Sequence, residues 1–364
     1  MTGRSRGQDL AENIISKKMD FRYSRIYMMV ISAIILGGIF SLRTGSVDID
    51  PGRIIKILLH RLPFIGPGIP VSWSKSEEAI ILQLRLPRIA LSFLVGAELS
   101  AAGVIYQGIF RNPMADPYVI GASAGASLGA TLAIMFFSGL RIIGVGSVPF
   151  FAFLGAFATI FIVYSIAGVG GRTYSFTLLL SGIAVSSFIS ALVSFFMYFS
   201  DQKLHQIYFW LLGSFSSQGW SEVLLNLPYG IAGLALGALN LRALNILQLG
   251  EDTAFFTGVD TEHLKKISLT SAALLTASAV AVSGVIGFVG LIIPHVSRIT
   301  IGPDHRRLFW FSALVGGLYL MLADTLSRVV IAPTELPVGI LTALFGGPFF
   351  LYLLLKKKNR DYRL

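Results

Sequence analysis

Not one of the 364 residues is cysteine, which excludes disulfides, iron–sulfur clusters and thiolate-held metals. Charge is scarce too: 13% of residues are Asp, Glu, Lys or Arg, against roughly a quarter in soluble domains. No GxxxxGK[ST] loop occurs, so ATP is not bound by that route, and there is no serine elbow, zinc motif or dinucleotide fingerprint. His205, His263, His295 and His305 lie in separate segments without metal-ligand spacing. These absences argue against an enzyme and against any cofactor or metal held by this chain. The net charge of +10 suggests a nucleic-acid partner only at first sight. The basic residues gather at the termini and in short loops, which is the cytoplasmic bias of membrane proteins.

What the chain has in abundance is apolar length. It is 54% hydrophobic with a mean hydropathy of +0.74, more than a soluble core of this size can hide, so lipid must be its solvent. A helix of about 20 apolar residues crosses a hydrocarbon layer of about 30 Å. Runs bounded by charge, glycine or proline give ten spans: 26–43, 85–109, 117–137, 149–168, 176–199, 222–240, 265–284, 286–300, 308–328 and 338–355. The expected fold is therefore an all-α integral membrane protein. Residues 1–25 read as a cytoplasmic tail and 356–364 as a second, placing both basic termini inside. A cleavable signal competes for the first run, but Phe40-Ser41-Leu42-Arg43 is a poor cleavage site. Residues 44–83 form an outer loop, although Arg53, Lys56, Arg61 and Lys75 fall there against the charge rule. Within it, Asp50 and Pro51 predict the start of a short amphipathic helix. The aromatic stretch 205–220 reads as an interfacial helix at the outer rim.

Small residues recur along several spans: Gly121, Gly125 and Gly129; Gly233 and Gly237; Gly284, Gly287 and Gly290. Such rows let helix backbones touch, because packing holds spans together in lipid. Intramembrane charges are few and each is informative. Glu98 sits near the middle of the second span with no evident partner and is a candidate for the translocation path; it lines a water-filled cavity or is protonated against another span. Asp324 and Arg328, four apart, form a favourable helical pair. The polar interruption 242–266 carries Gly250, Glu251 and Asp252 before a helical stretch ending at Gly258, then a second helix start at Asp260. Two short helices across the inner face, with Phe255 and Phe256 exposed together, suit docking into a groove of a partner.

Several blocks in order make the chain resemble a known family. They are LRLPRIALSFLVGAELSAAGVIYQGIFRNPMADPYVIGASAGASLGA, WLLGSFSSQGW, ILQLGEDTAFFTGVD, GVIGFVGLIIPHVSRITIGPDHRRL and ADTLSRVVIAPTELPVGILTALFGGPFFLYLL. These are similar to the permease subunit of bacterial and archaeal ABC importers for iron–siderophores, haem and cobalamin. The resemblance implies the type II ABC importer permease fold: a homodimer of ten-span subunits with the substrate path along the dimer axis. Two cytoplasmic ATPases using ATP and Mg drive it, and a binding protein delivers substrate outside. By the same resemblance Arg85, Arg88 and Arg328 meet acidic residues of the binding protein. Gly250 through Glu262 couple to the ATPase, and Ser175 and Phe176 contribute an inner gate. Glu98 departs from the family, which usually has a small apolar residue there. A rival class is an ion-coupled secondary transporter, which is expected to carry several intramembrane acids along its path; Glu98 and Asp324 are a thin set. A channel or receptor anchor leaves the paired inner helices unexplained.

Overall fold

The computed structural model describes residues 6–361 apart from 46, 65, 143, 144, 170 and 171. The first span lies in α1 (Arg6–Arg43), whose segment Arg22–Arg43 is apolar enough to cross a membrane. The helix continues back through most of the expected tail. Next, α2 (Pro51–His60) forms where Asp50 and Pro51 predict it: the Asp50 carboxylate accepts from Arg53 N at 3.2 Å, and Pro51 sits in the first turn, where no donor is needed.

The second span begins earlier than the charge pattern suggests. A Ser74–Glu77 capping box opens α3 (Lys75–Ala79), which runs through a π turn (Ile80–Arg85) into α4 (Leu86–Ile109). Pro87 reads in the sequence as a helix start, yet the widened turn absorbs it. Leu86 N donates five residues back to Ile81 O, and Pro87 has no N–H to place.

Beyond α4 a 3-10 turn (Pro117–Ile120) and Gly121, at φ 90°, lead into α5 (Ala122–Phe136). Then come α6 (Ser147–Ala167) and α7 (Ser175–Tyr198). The aromatic rim segment is helical only over α8 (Leu204–Leu211); Gly213 at φ 68° then turns the chain. It is followed by α9 (Trp220–Leu239), α10 (Leu241–Leu247) and α11 (Glu251–Phe256). The remaining helices are α12 (Thr261–Ser283), α13 (Val289–Ile301), α14 (His305–Ser327) and α15 (Val338–Asp361). Among the described residues seven segments have the length and apolarity of spans, and Ala122–Phe136, Val289–Ile301 and Val338–Leu353 are shorter apolar helices, which together make the expected ten.

α4 sits at the centre. Its span is 83% buried within the protein and that of α12 78%, whereas α6 and α7 reach 33% and 28% and present apolar side chains outward. Around α4 stand α1, α9, α12, α13 and α14. The approach is as close as backbone permits. A methyl group on Gly96 meets Gly316 O at 2.2 Å, and one on Gly103 meets Gly290 O at 1.9 Å. Elsewhere Gly125 abuts Gly155, Gly129 abuts Phe151 O, and Gly233 abuts Leu275. The small-residue rows therefore pack helices as expected, except at Gly287, which faces open space. Replacing Gly103 by Ala should lower stability by about 1–3 kcal/mol, because a carbonyl on a neighbouring backbone cannot move aside. Gly287→Ala should leave thermal unfolding in detergent unchanged.

Candidate functional site

Polar groups collect at the two ends of the bundle and at one point between. At the end where α1 and α14 finish and α4 begins, the three predicted arginines lie together, but each faces inward. Arg85 is 6% exposed, Arg88 8% and Arg328 7%. Arg85 Nη1 donates to Leu42 O (2.6 Å) and Arg43 O (2.9 Å), and Nη2 to Val47 O, so it caps the carbonyl end of α1. Arg88 holds Asp324 in a fork, Nε to Oδ2 and Nη2 to Oδ1, both 2.9 Å. Its remaining nitrogen, Nη1, donates to both carboxylate oxygens of Glu335, at 3.1 and 2.8 Å. Arg328 Nη2 donates to Ser41 O and Thr325 Oγ1, both at 3.1 Å, while its Nε stands 3.8 Å from Asp324. The sequence pairs Asp324 with Arg328; the stronger bond is to Arg88, 236 positions away. None of the three offers a free guanidinium, but the cluster of three cations and two carboxylates keeps a net positive charge. Glu335, which the sequence reading passed over, also lines a 570 Å³ recess beside α8 with Ser216, Gln218 and Glu222.

Between the ends, Glu98 is closed in. Its Oε2 accepts from Asn226 Nδ2 on α9 and Ser278 Oγ on α12, each at 3.0 Å, and its other oxygen packs against Gly230. Glu98 is 1% exposed, so the water-lined alternative does not hold; the partners come from two other spans.

At the opposite end lies the interruption expected to dock a partner. Gly250, at φ 121°, releases α11, and Gly258, at φ 86°, ends its turn. Asp260 caps α12 by accepting from His263 N at 3.0 Å. Glu251 on α11 and Glu262 on α12 both reach Lys265 Nζ, at 2.9 and 3.4 Å, and Lys265 is 1% exposed. That buried ammonium straps the short helix to the long one. Phe255 and Phe256, 67% and 85% exposed, stand edge to face beside a 560 Å³ groove that Asp252 also lines. Ser175 Oγ reaches Ile109 O at 3.4 Å, tying the start of α7 to the end of α4, and Phe176 projects outward. Among the described residues no cluster of His, Asp and Glu could hold a metal.

The corner between α4 and α5 is fixed by Asp116, whose carboxylate accepts from Tyr118 N at 2.8 Å; Tyr118 Oη in turn donates to Ile286 O. Burial pushes the Asp116 carboxyl up to about 6, against that hydrogen bond. Near α14, burial also raises Asp304, but Asn245, Arg306 N and the Arg306 and Arg307 charges outweigh it and hold the carboxyl below its usual range.

Among the described residues, a bundle of apolar, span-length helices with charged latches at both ends has the architecture of a polytopic membrane protein. Residues 31–356 match the FecCD transport family, and the chain belongs to it. It is 40% identical, over 91% of this chain and 93% of the other, to an uncharacterised ABC transporter permease, YvrB, of Bacillus subtilis. It is 39% identical, over 93% of this chain and 94% of the other, to the cobalamin import system permease BtuC of Halobacterium salinarum. The hemin transport permease HmuU of Yersinia pestis is 42% identical over 77% of this chain and 84% of its own. A solved metal-chelate type ABC transporter in an inward-facing conformation superposes with TM-score 0.77 at 34% identity, covering 92% of this chain and 99% of that one. The expected family and the all-α permease fold are thereby borne out.

Two outcomes follow from this geometry. Arg88→Met should cost about 3–5 kcal/mol, since it strands buried Asp324 with only a distant guanidinium, and Arg88→Met with Asp324→Leu should recover much of it in thermal unfolding. Asp116 binds its proton more tightly in the folded chain. Its contribution to stability is full below about 4, the unfolded value, and is lost as pH rises through about 6. Asp116→Asn should flatten that part of the stability–pH curve between pH 4 and 7.

Proposed function

We propose that this permease is the membrane half of an ATP-driven importer for an iron chelate, haem or a cobalamin-type substrate. It works as a homodimer by alternating access along the dimer axis. Two ATPase subunits carry the nucleotide and its Mg, a binding protein delivers the substrate, and both termini of this chain face the cytoplasm. The observation that carries the reading is the Phe255–Phe256 pair. Two neighbouring aromatic side chains more than half exposed, on a helix strapped from behind by buried Lys265, form a rigid apolar peg. Aromatic anchors seated in a pocket dominate interface energies. Gly250, Glu251, Asp252, Gly258, Asp260 and Glu262 shape and hold that peg. Phe176, exposed at the foot of α7 beside Ser175, is the inner gate on this reading.

At the other end, the net positive charge around Arg85, Arg88 and Arg328 favours an acidic partner surface by attraction through a thin wall of protein, as in steered encounter. Direct contact to a partner carboxylate requires Glu335, the more exposed of the two carboxylates on Arg88, to give way. The secondary-transporter reading is weaker. Its acids should open to a path, whereas Glu98 and Asp324 are each 1% exposed and hydrogen-bonded to neighbouring spans.

Reconstitution with the cognate ATPase and binding protein should give ATP-dependent uptake, with the binding protein's own ligand naming the cargo. Uptake by this subunit alone, driven by a proton or sodium gradient, would falsify the proposal. Phe255→Ala/Phe256→Ala should weaken ATPase association at least tenfold, on the order of 1.4 kcal/mol, without changing the unfolding temperature. Full association in pull-down would remove the docking role.

A further inference from the structure

A pocket of about 390 Å³ opens between the end of α4, α13 and the start of α14, and neither the transport reading nor the latch at the opposite end uses it. Gln107, Arg111, Gln248, His295, Arg298 and His305 line it, with no Asp or Glu among the lining residues. Arg111 and Arg298 make no side-chain hydrogen bond or ion pair with any described residue. Arg111 is exposed and Arg298 half-buried; leaving the half-buried guanidinium unpaired is costly, and two cations on one recess without an acid point to a missing anion. Arg111 is moreover held at φ 49°, a left-handed conformation that side chains rarely adopt.

Two histidines complete the wall of the pocket. His305 is 2% exposed, and its Nε2 has no partner; His295 Nδ1 is likewise buried and unpartnered. Asn245 Oδ1 accepts from His305 N and stands 2.8 Å from His305 Nδ1, while Asn245 Nδ2 donates to Asp304. That fixes the amide's orientation and puts the ring proton on Nδ1. His305 Nε2 is therefore left unprotonated and packed against Gly108, so the ring walls the recess and adds no negative charge to compete for the guanidinium groups. The nearest carboxylate, Asp304, is already engaged by Asn245 Nδ2 and Arg306 N. Beside the cations, Ile299 lines the same pocket at 73% exposure, giving a polar recess an apolar lip.

We infer that this pocket is a phosphate-binding site whose ligand is the headgroup of an anionic phospholipid, with the phosphate between Arg111 and Arg298 and an acyl chain along Ile299. Planar guanidinium groups match phosphate oxygens in pairs, and the apolar lip selects a lipid over a free anion. The inference stands apart from the importer reading, since it needs neither ATPase nor substrate.

The test uses the full-length chain in phosphatidylcholine nanodiscs, titrated with phosphatidylglycerol and, separately, with inorganic phosphate, and read by native mass spectrometry. The wild-type chain should retain one phosphatidylglycerol. Arg298→Gln and Arg111→Gln should each lower its affinity about tenfold, and Arg298→Lys should restore part of it. Arg306→Gln, which removes an exposed charge at the same end outside the pocket, should leave retention unchanged. Unfolding temperature in phosphatidylcholine alone reports whether each variant is folded. Inorganic phosphate held as tightly as the lipid, and lost in Arg298→Gln, would keep the phosphate site but overturn the lipid source. Equal lipid retention by folded wild type and folded Arg298→Gln, or an equal loss in Arg306→Gln, overturns the site.

Discussion

Helices in lipid gain nothing from leaving water, because the surrounding tails are as apolar as their own side chains. What holds this bundle is contact so close that side chains must be absent. On α4 that constraint acts twice on one helix, at Gly96 against Gly316 of α14 and at Gly103 against Gly290 of α13. The two glycines are seven apart, so they lie on nearly one face and the neighbouring backbones close on it like a clamp. The opposite face meets α9 and α12, through Glu98 and its two donors. Nothing in this arrangement lets α4 slide without parting backbone surfaces, and the rest of the bundle takes its register from it.

The same helix explains why so few charges suffice. Four polar side chains on α4 and the turn before it are answered by other elements: Arg85 by the end of α1, Arg88 by α14 and the loop bearing Glu335, Glu98 by α9 and α12, Gln107 by Leu291 O on α13. A buried charge is a weak source of net stability, but it is intolerant of a missing partner. Satisfying one group at each level with a separate neighbour fixes rotation and height together, which apolar packing alone does poorly. Glu98 makes the point best, since an apolar side chain there would meet the same helices without choosing a partner on either.

Local chemistry was legible in the sequence; long-range pairing was not. Asp50 and Asp260 announced their helices because an N-cap needs only its own turn. The glycine rows announced close packing, though not which helix meets which. Pro87 misled, because a π turn lets a helix run through a residue that ordinarily begins one. Asp324 was assigned to Arg328 on spacing alone, whereas a guanidinium on another span reaches it with both nitrogens. The resemblance leads one to expect the three arginines to face a binding protein, yet all three turn inward. Burial there depends on carbonyls of α1 and a carboxylate beyond Pro333, which no local pattern encodes. His305 and Arg298 carried no signal, because an anion pocket exists only after α4, α13 and α14 come together.

These couplings bear on how motion could pass through the bundle. Lys265 joins α11 to α12, and Gln248 Nε2 donates to Gly108 O, joining the chain just before α11 to the foot of α4. A force on the aromatic peg therefore reaches two buried helices together, and neither can respond alone. By contrast α7 packs mainly against α5, α6 and the turn before α5, and its span, like that of α9, is only 28% buried. Its described side-chain tie to the central helix is the 3.4 Å contact of Ser175 with Ile109 O. A bundle built this way transmits displacement through a stiff centre and yields at a loosely held edge. On the importer reading α7, with Phe176 at its foot, is that edge, because the clamped helices leave it the least to break.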